Sequence, residues 1–155
     1  MKKYIWPAAI ILVVCVLFGQ YKARTNVKAA DFYVGMSGEE MMEILEKTKY
    51  DAMSRYYCFL DANRKNVVIK ADYSTGTWQV REIWTFDPVV ANEERLSLVR
   101  EGMIFPEVVS ILGLPDDASP FFGLNASKYM LRNGKHAFVY WSGDRVYATE
   151  VYKNP

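Results

Sequence analysis

The sequence predicts an α+β fold of two tandem units, each a short helical segment followed by an antiparallel β-meander, with helices packed on one face of the sheet and an N-terminal transmembrane helix ahead of them. Three observations carry that expectation. A Gly-Met motif occurs twice, the hydrophobic period switches from helical to two after each copy, and the 155-residue chain opens on an apolar run.

The doubled motif comes first, because an internal repeat decides how everything else is parsed. Gly35-Met36-Ser37-Gly38-Glu39-Glu40-Met41-Met42-Glu43-Ile44-Leu45 aligns with Gly102-Met103-Ile104-Phe105-Pro106-Glu107-Val108-Val109-Ser110-Ile111-Leu112 at an offset of 67 residues. Five positions are identical and two more stay apolar. The organisation that follows is 1–30 anchor and basic linker, 31–90 first repeat and 91–155 second repeat. Units this small are expected to share a core.

Lys2-Lys3 precedes Tyr4 to Phe18, which is nearly all apolar. The segment 4–21 would span about 27 Å as a helix, close to the thickness of a bilayer core. Tyr4, Trp6 and Tyr21 stand where interfacial aromatics belong. No A-x-A site follows the run, which favours an uncleaved signal anchor, the alternative being secretion after cleavage near Gly19. Cys15 follows Leu12-Val13-Val14, unlike a lipobox, and reads as a small apolar residue of that segment. Basic residues flank both ends, so the positive-inside rule does not orient the chain. The short leading tail places the folded part outside the cytoplasm.

Past Ala30 there are 14 basic and 18 acidic side chains, a net of −4 hidden beneath the formal total of +1. A nucleic-acid binder would carry the opposite sign on its folded part, so that class is disfavoured. With Cys15 in the anchor, Cys58 has no intrachain partner and reads as a buried strand residue. His136 is the only histidine, so no zinc cluster or His-based dyad is signalled. Asp116-Asp117 reads as a solvated turn, and Asn125-Ala126-Ser127 as a chance glycosylation match. No metal and no cofactor are expected.

Ser37 and Glu40 have the capping-box spacing, and Met41, Ile44, Leu45 and Thr48 share a helical face, predicting a helix over Gly38 to Lys49. Pro106 and Gly113 delimit the second helix. Strands are predicted over Arg55 to Asp61, Asn66 to Tyr73, Thr77 to Phe86, Lys128 to Arg132, His136 to Trp141 and Arg145 to Tyr152, each rich in aromatic and β-branched residues. Asn133-Gly134 is the strongest turn signal, with Thr75-Gly76 and Gly143-Asp144 behind it. Between the units, 92–100 is a polar connector with room for a helical turn.

The Gly-Met start, the Leu112-Gly113-Leu114-Pro115-Asp116 helix exit and the closing Tyr140-Trp141-Ser142-Gly143-Asp144-Arg145-Val146 hairpin resemble the small outer-membrane assembly lipoproteins of SmpA/OmlA type and the β-lactamase inhibitory protein-like superfamily related to them. The likeness covers about residues 34 to 152, and its motifs are short. It implies helices on one face of an antiparallel sheet, doubled in tandem as in the inhibitor-like branch, and it implies binding. The first unit departs from it, with Leu45-Glu46-Lys47-Thr48-Lys49 where the second has Leu-Gly-x-Pro-Asp.

Two-residue turns would pair Tyr73 with Trp78, Ala71 with Val80, Trp141 with Val146 and Val139 with Ala148. Those apolar pairs are expected on the helix-covered face. The opposite face would carry Lys70, Asp72, Gln79 and Arg81 in the first unit and His136, Phe138, Tyr140, Tyr147 and Thr149 in the second. Aromatic residues on an open sheet face are common interface anchors. The candidate binding residues are therefore His136, Phe138, Tyr140, Tyr147, Lys70 and Arg81. A one-residue slip would exchange the two faces.

The resulting expectation is a bacterial, membrane-anchored, extracytoplasmic, non-enzymatic protein-binding module that meets a protein partner outside the membrane. The alternatives are a structural component of a cell-envelope assembly complex, or an inhibitor of a secreted enzyme such as a β-lactamase. An enzyme using Lys70, Arg81 and Tyr147 is the least supported.

Overall fold

Why the helices are short is visible at their ends. The computed structural model describes residues 26–74, 76–118 and 125–152. Helix α1 (Gly38–Leu45) starts where the Ser37 hydroxyl accepts a hydrogen bond from the Glu40 N–H, at 3.2 Å. It stops at Leu45 rather than Lys49. Lys47 and Thr48 turn their N–H groups back to the Ile44 and Leu45 carbonyls, and the chain enters a strand at Tyr50. Strand β1 (Tyr50–Met53) was not predicted, because only four residues of it pair and they show no clean alternation.

Strands β2 (Tyr56–Leu60), β3 (Asn66–Ser74) and β4 (Thr77–Phe86) complete the antiparallel sheet A, in the order β1-β2-β3-β4. The connector forms the one-turn helix α2 (Glu93–Leu96), capped by the Asn92 side chain accepting from the Arg95 N–H. Helix α3 (Phe105–Leu112) has Pro106 in its first turn, and the Glu107 carboxylate accepts from the Ile104 N–H at 2.8 Å. Sheet B follows in the order β5 (Ala126–Met130), β6 (His136–Ser142), β7 (Arg145–Tyr152).

The expected fold class is corrected by this architecture. The described residues are mostly antiparallel β-sheet, with three helices of 8, 4 and 8 residues set against seven strands. Among the described residues no helix is long and apolar enough to cross a membrane. The segment 4–21, where a transmembrane helix was expected, lies outside the described residues. Two-turn helices are too short to form a layer of their own. They serve as plugs for two separate sheets.

Burial shows how the two sheets are arranged. Helix α1 buries Gly38, Met41 and Leu45, a single stripe against Phe59, Val67, Ile69, Ala71 and Val80 of sheet A. Helix α3 buries Phe105, Pro106, Val108, Val109 and Leu112, too many for one stripe. Its apolar residues lie in one cluster with Tyr56, Cys58 and Val68 from the other face of sheet A and with Tyr129, Ala137, Val139 and Trp141 from the inner face of sheet B. The Phe105 ring is 5.6 Å from Tyr56 and 5.6 Å from Trp141, tilted to both. The first sheet is thus covered on both sides, by its own helix and by the second unit. Each fully buried large side chain contributes about 1.5–3 kcal/mol of transfer free energy, so this shared cluster binds the halves together.

The repeated motif has one job in both copies. The Gly35 N–H donates to the Val80 carbonyl at 2.8 Å and the Val80 N–H to Met36 at 2.9 Å; Gly102, Met103 and Val146 repeat the pattern at 2.8 and 2.9 Å. Both glycines hold positive φ, 92° and 86°, to bring the chain onto the strand edge. Immediately after each clasped valine the ladder shifts. Ala71 pairs with Val80 but Lys70 with Glu82, and Trp141 pairs with Val146 but Tyr140 with Ala148. Arg81 and Tyr147 are the extra residues of two equivalent β-bulges.

The bulges revise the register. Tyr73–Trp78, Ala71–Val80 and Trp141–Val146 pair as expected, whereas Val139 pairs with Thr149, not Ala148. The last hairpins of the two copies therefore match as Ala71 to Trp141 and Val80 to Val146. Beyond those pairs the first copy runs three pairs further and the second only one.

Candidate functional site

Strand alternation and the second bulge together build one aromatic surface. On β6, Ala137, Val139 and Trp141 point into the shared core, so His136, Phe138 and Tyr140 take the outer face of sheet B. On β7 the partners of those three are Tyr152, Glu150 and Ala148, and on β5 they are Met130, Lys128 and Ala126. Past the bulge Tyr147 joins the same face, its ring 6.0 Å from Tyr140. Thr149, expected here, pairs with Val139 on the inner side instead.

The rings form a continuous set. Phe138 lies 6.3 Å from Tyr140 in a stacked arrangement and 5.2 Å from Tyr152 edge-on. Phe138 is only 8% exposed and makes the floor, while Tyr147 is 53%, Tyr152 44% and Met130 57% exposed. Glu150 ties the polar ends. The Tyr152 hydroxyl donates to Glu150 Oε2 at 2.7 Å, the Tyr140 hydroxyl donates to the same oxygen at 3.3 Å, and the two hydroxyls are 3.4 Å apart. The bonds to Tyr140 and Glu150 push the Tyr152 phenol above its ordinary 10.0, so it stays a donor. Tyr152 and Glu150 were missed from sequence, although the alternation that selected Tyr140 reaches them once the bulge is allowed for.

His136 is half-buried at the end of this row, and its Nδ1 is buried with no hydrogen-bond partner among the described residues. Lys70 and Arg81 are elsewhere. They lie on sheet A, on the side that faces the second unit, where Lys70 pairs with Glu82 at 2.9 Å and Arg81 Nε donates to Asp72 Oδ1 at 3.0 Å. Arg55 adds a second cation to Asp72 at 3.7 Å. The structure brings together four of the six candidate residues, His136, Phe138, Tyr140 and Tyr147, and leaves Lys70 and Arg81 in a separate ion-pair cluster.

The other chemistry-bearing groups are held inert. Cys58 is 3% exposed in β2, and burial pushes its thiol up to about 12. Ser127 is fully buried, accepting from Trp141 Nε1 at 3.0 Å and donating to the Ala118 carbonyl at 3.3 Å. Asp116 accepts from the Met130 N–H, which makes it part of the turn rather than a ligand. Among the described residues no group of three or more His, Cys, Asp or Glu side chains could hold a metal ion. No known family model matches the chain, and no curated protein matches it.

Proposed function

We propose that the chain is a membrane-tethered, extracytoplasmic, non-enzymatic protein-binding module of the inhibitory-protein-like kind, and that its contact surface is the outer face of sheet B. The observation that carries this reading is the row Phe138, Tyr140, Tyr147 and Tyr152, with Tyr147 and Tyr152 about half exposed. Tyrosines present large, rigid, amphipathic area at low entropic cost, which suits them to anchor a partner. A buried, un-ionised Cys58 and the internally paired Lys70 and Arg81 favour binding over catalysis.

The test is cross-linking from membranes with the full chain as bait. A discrete adduct should form, and Tyr147→Ala should remove it while moving the thermal midpoint by no more than about 2 °C, since exposed sites change stability little. An adduct that survives both Tyr147→Ala and Tyr140→Ala refutes the proposal.

A further inference from the structure

Resting on that reading, we propose that the outer face of sheet B receives an arginine side chain of the partner, held between the tyrosine rings and the Glu150 carboxylate. Both phenol hydrogen bonds fall on Glu150 Oε2. Among the described residues Oε1 accepts no hydrogen bond and no cation forms an ion pair with either oxygen. Two tyrosines thus fix the carboxylate's orientation while leaving half its accepting capacity open.

The surroundings suit a guanidinium more than any other group. The faces of Tyr140, Tyr147 and Tyr152 carry the negative side of their quadrupoles, and a planar cation can stack on one ring while its N–H groups reach the free oxygen. An ammonium could use the charge but not the stacking. Lys128, a cation on this face, is half-buried across β6, with Phe138 standing between it and Glu150. His136 is one pair further along, opposite Tyr152 and Met130. Beyond residue 30 the chain carries a net −4, which draws basic surfaces toward it. The bulge matters too: without it the alternation running on from Val146 would turn Glu150 and Tyr152 to the inner side, and both the carboxylate and the third ring would be lost.

The probe is Nα-acetylarginine amide, with the citrulline analogue as its uncharged isostere, titrated onto the full chain in detergent micelles and read by shifts of the tyrosine ring resonances. The arginine compound should bind at least about fivefold more tightly than citrulline, as expected for a desolvated cation on aromatic rings. Glu150→Gln, which keeps an acceptor for both phenols, should erase that ratio, and Glu39→Gln on helix α1 should not. Equal binding of the two compounds, no binding of either, or an equal loss in Glu39→Gln overturns the inference. The membrane cross-link separates the two ideas. Loss of the adduct in Tyr147→Ala but not in Glu150→Gln removes the arginine and keeps the binding surface, whereas survival of the adduct in Tyr147→Ala, Tyr140→Ala and Glu150→Gln alike removes the surface as well.

Discussion

Phe105→Ala is the sharpest probe of how the two units hold each other. The ring is fully buried, 5.6 Å from Tyr56 of sheet A and 5.6 Å from Trp141 of sheet B. Truncating a buried phenylalanine costs about 3–5 kcal/mol, the larger losses occurring where the site cannot collapse onto the gap. Here sheets lie on both sides and the helix between them is only two turns long, so collapse is poor. The two aromatic pairs, each about 0.5–1.5 kcal/mol beyond their area, push the estimate toward the top of that range, at about 4–5 kcal/mol. Domains of ordinary stability have about 5–15 kcal/mol in all, so the variant loses about a quarter or more. Urea titration of the full chain in detergent, followed by circular dichroism, measures it. The parent protein should unfold in one transition, since the cluster around Phe105 contains residues of both sheets. A loss below about 1.5 kcal/mol, or two separate transitions in the parent, would refute the shared-core argument.

Two further outcomes are expected. Gly38→Ala should destabilise despite the better helix propensity of alanine, because a Cβ at Gly38 would sit 1.9 Å from Trp78 Cε3. The net loss should be about 1–2 kcal/mol with a changed near-ultraviolet tryptophan signal, and an unchanged signal would show that Trp78 does not rest on that glycine. Cys58 should resist iodoacetamide in the native protein at pH 8 and react only on unfolding. With the folded thiol raised from 9.0 to about 12, its contribution to stability is complete below pH 9 and is lost as pH climbs from there toward 12, provided other groups are corrected for with a Cys58→Ser reference. Rapid native alkylation would contradict the burial.

Local chemistry was legible in the sequence wherever one or two residues decide the backbone. The Ser37 cap, Pro106 in a first turn and the pairs Tyr73–Trp78 and Trp141–Val146 could be read from neighbours alone. The bulges could not, because the extra residues Arg81 and Tyr147 fit a strand pattern as well as any other and the shift is set by the clasp on Val80 and Val146. Missing them sent Thr149 to the wrong face and hid Glu150 and Tyr152. The reading of sheet A failed for a different reason. A face lined by Tyr56, Cys58 and Val68 is apolar because the second unit covers it, a contact between residues some 50 positions apart that no period reveals. Tyr73 shows the converse: it keeps the core-facing parity of Ala71 yet is 78% exposed, since the strand outruns the helix that covers the rest.

The paired bulges also make the scaffold easy to diversify. A residue inserted outside the pleat's alternation can change its chemistry without moving any neighbour to the other face, so selection can act on it while the core beneath stays fixed. The two copies have used that freedom in opposite directions, with an arginine joined to Asp72 in one and a tyrosine turned to solvent in the other. A duplicated domain of this design can acquire two different surfaces by altering one position in each half, and a library built at residues 81 and 147 would explore binding with little cost to folding.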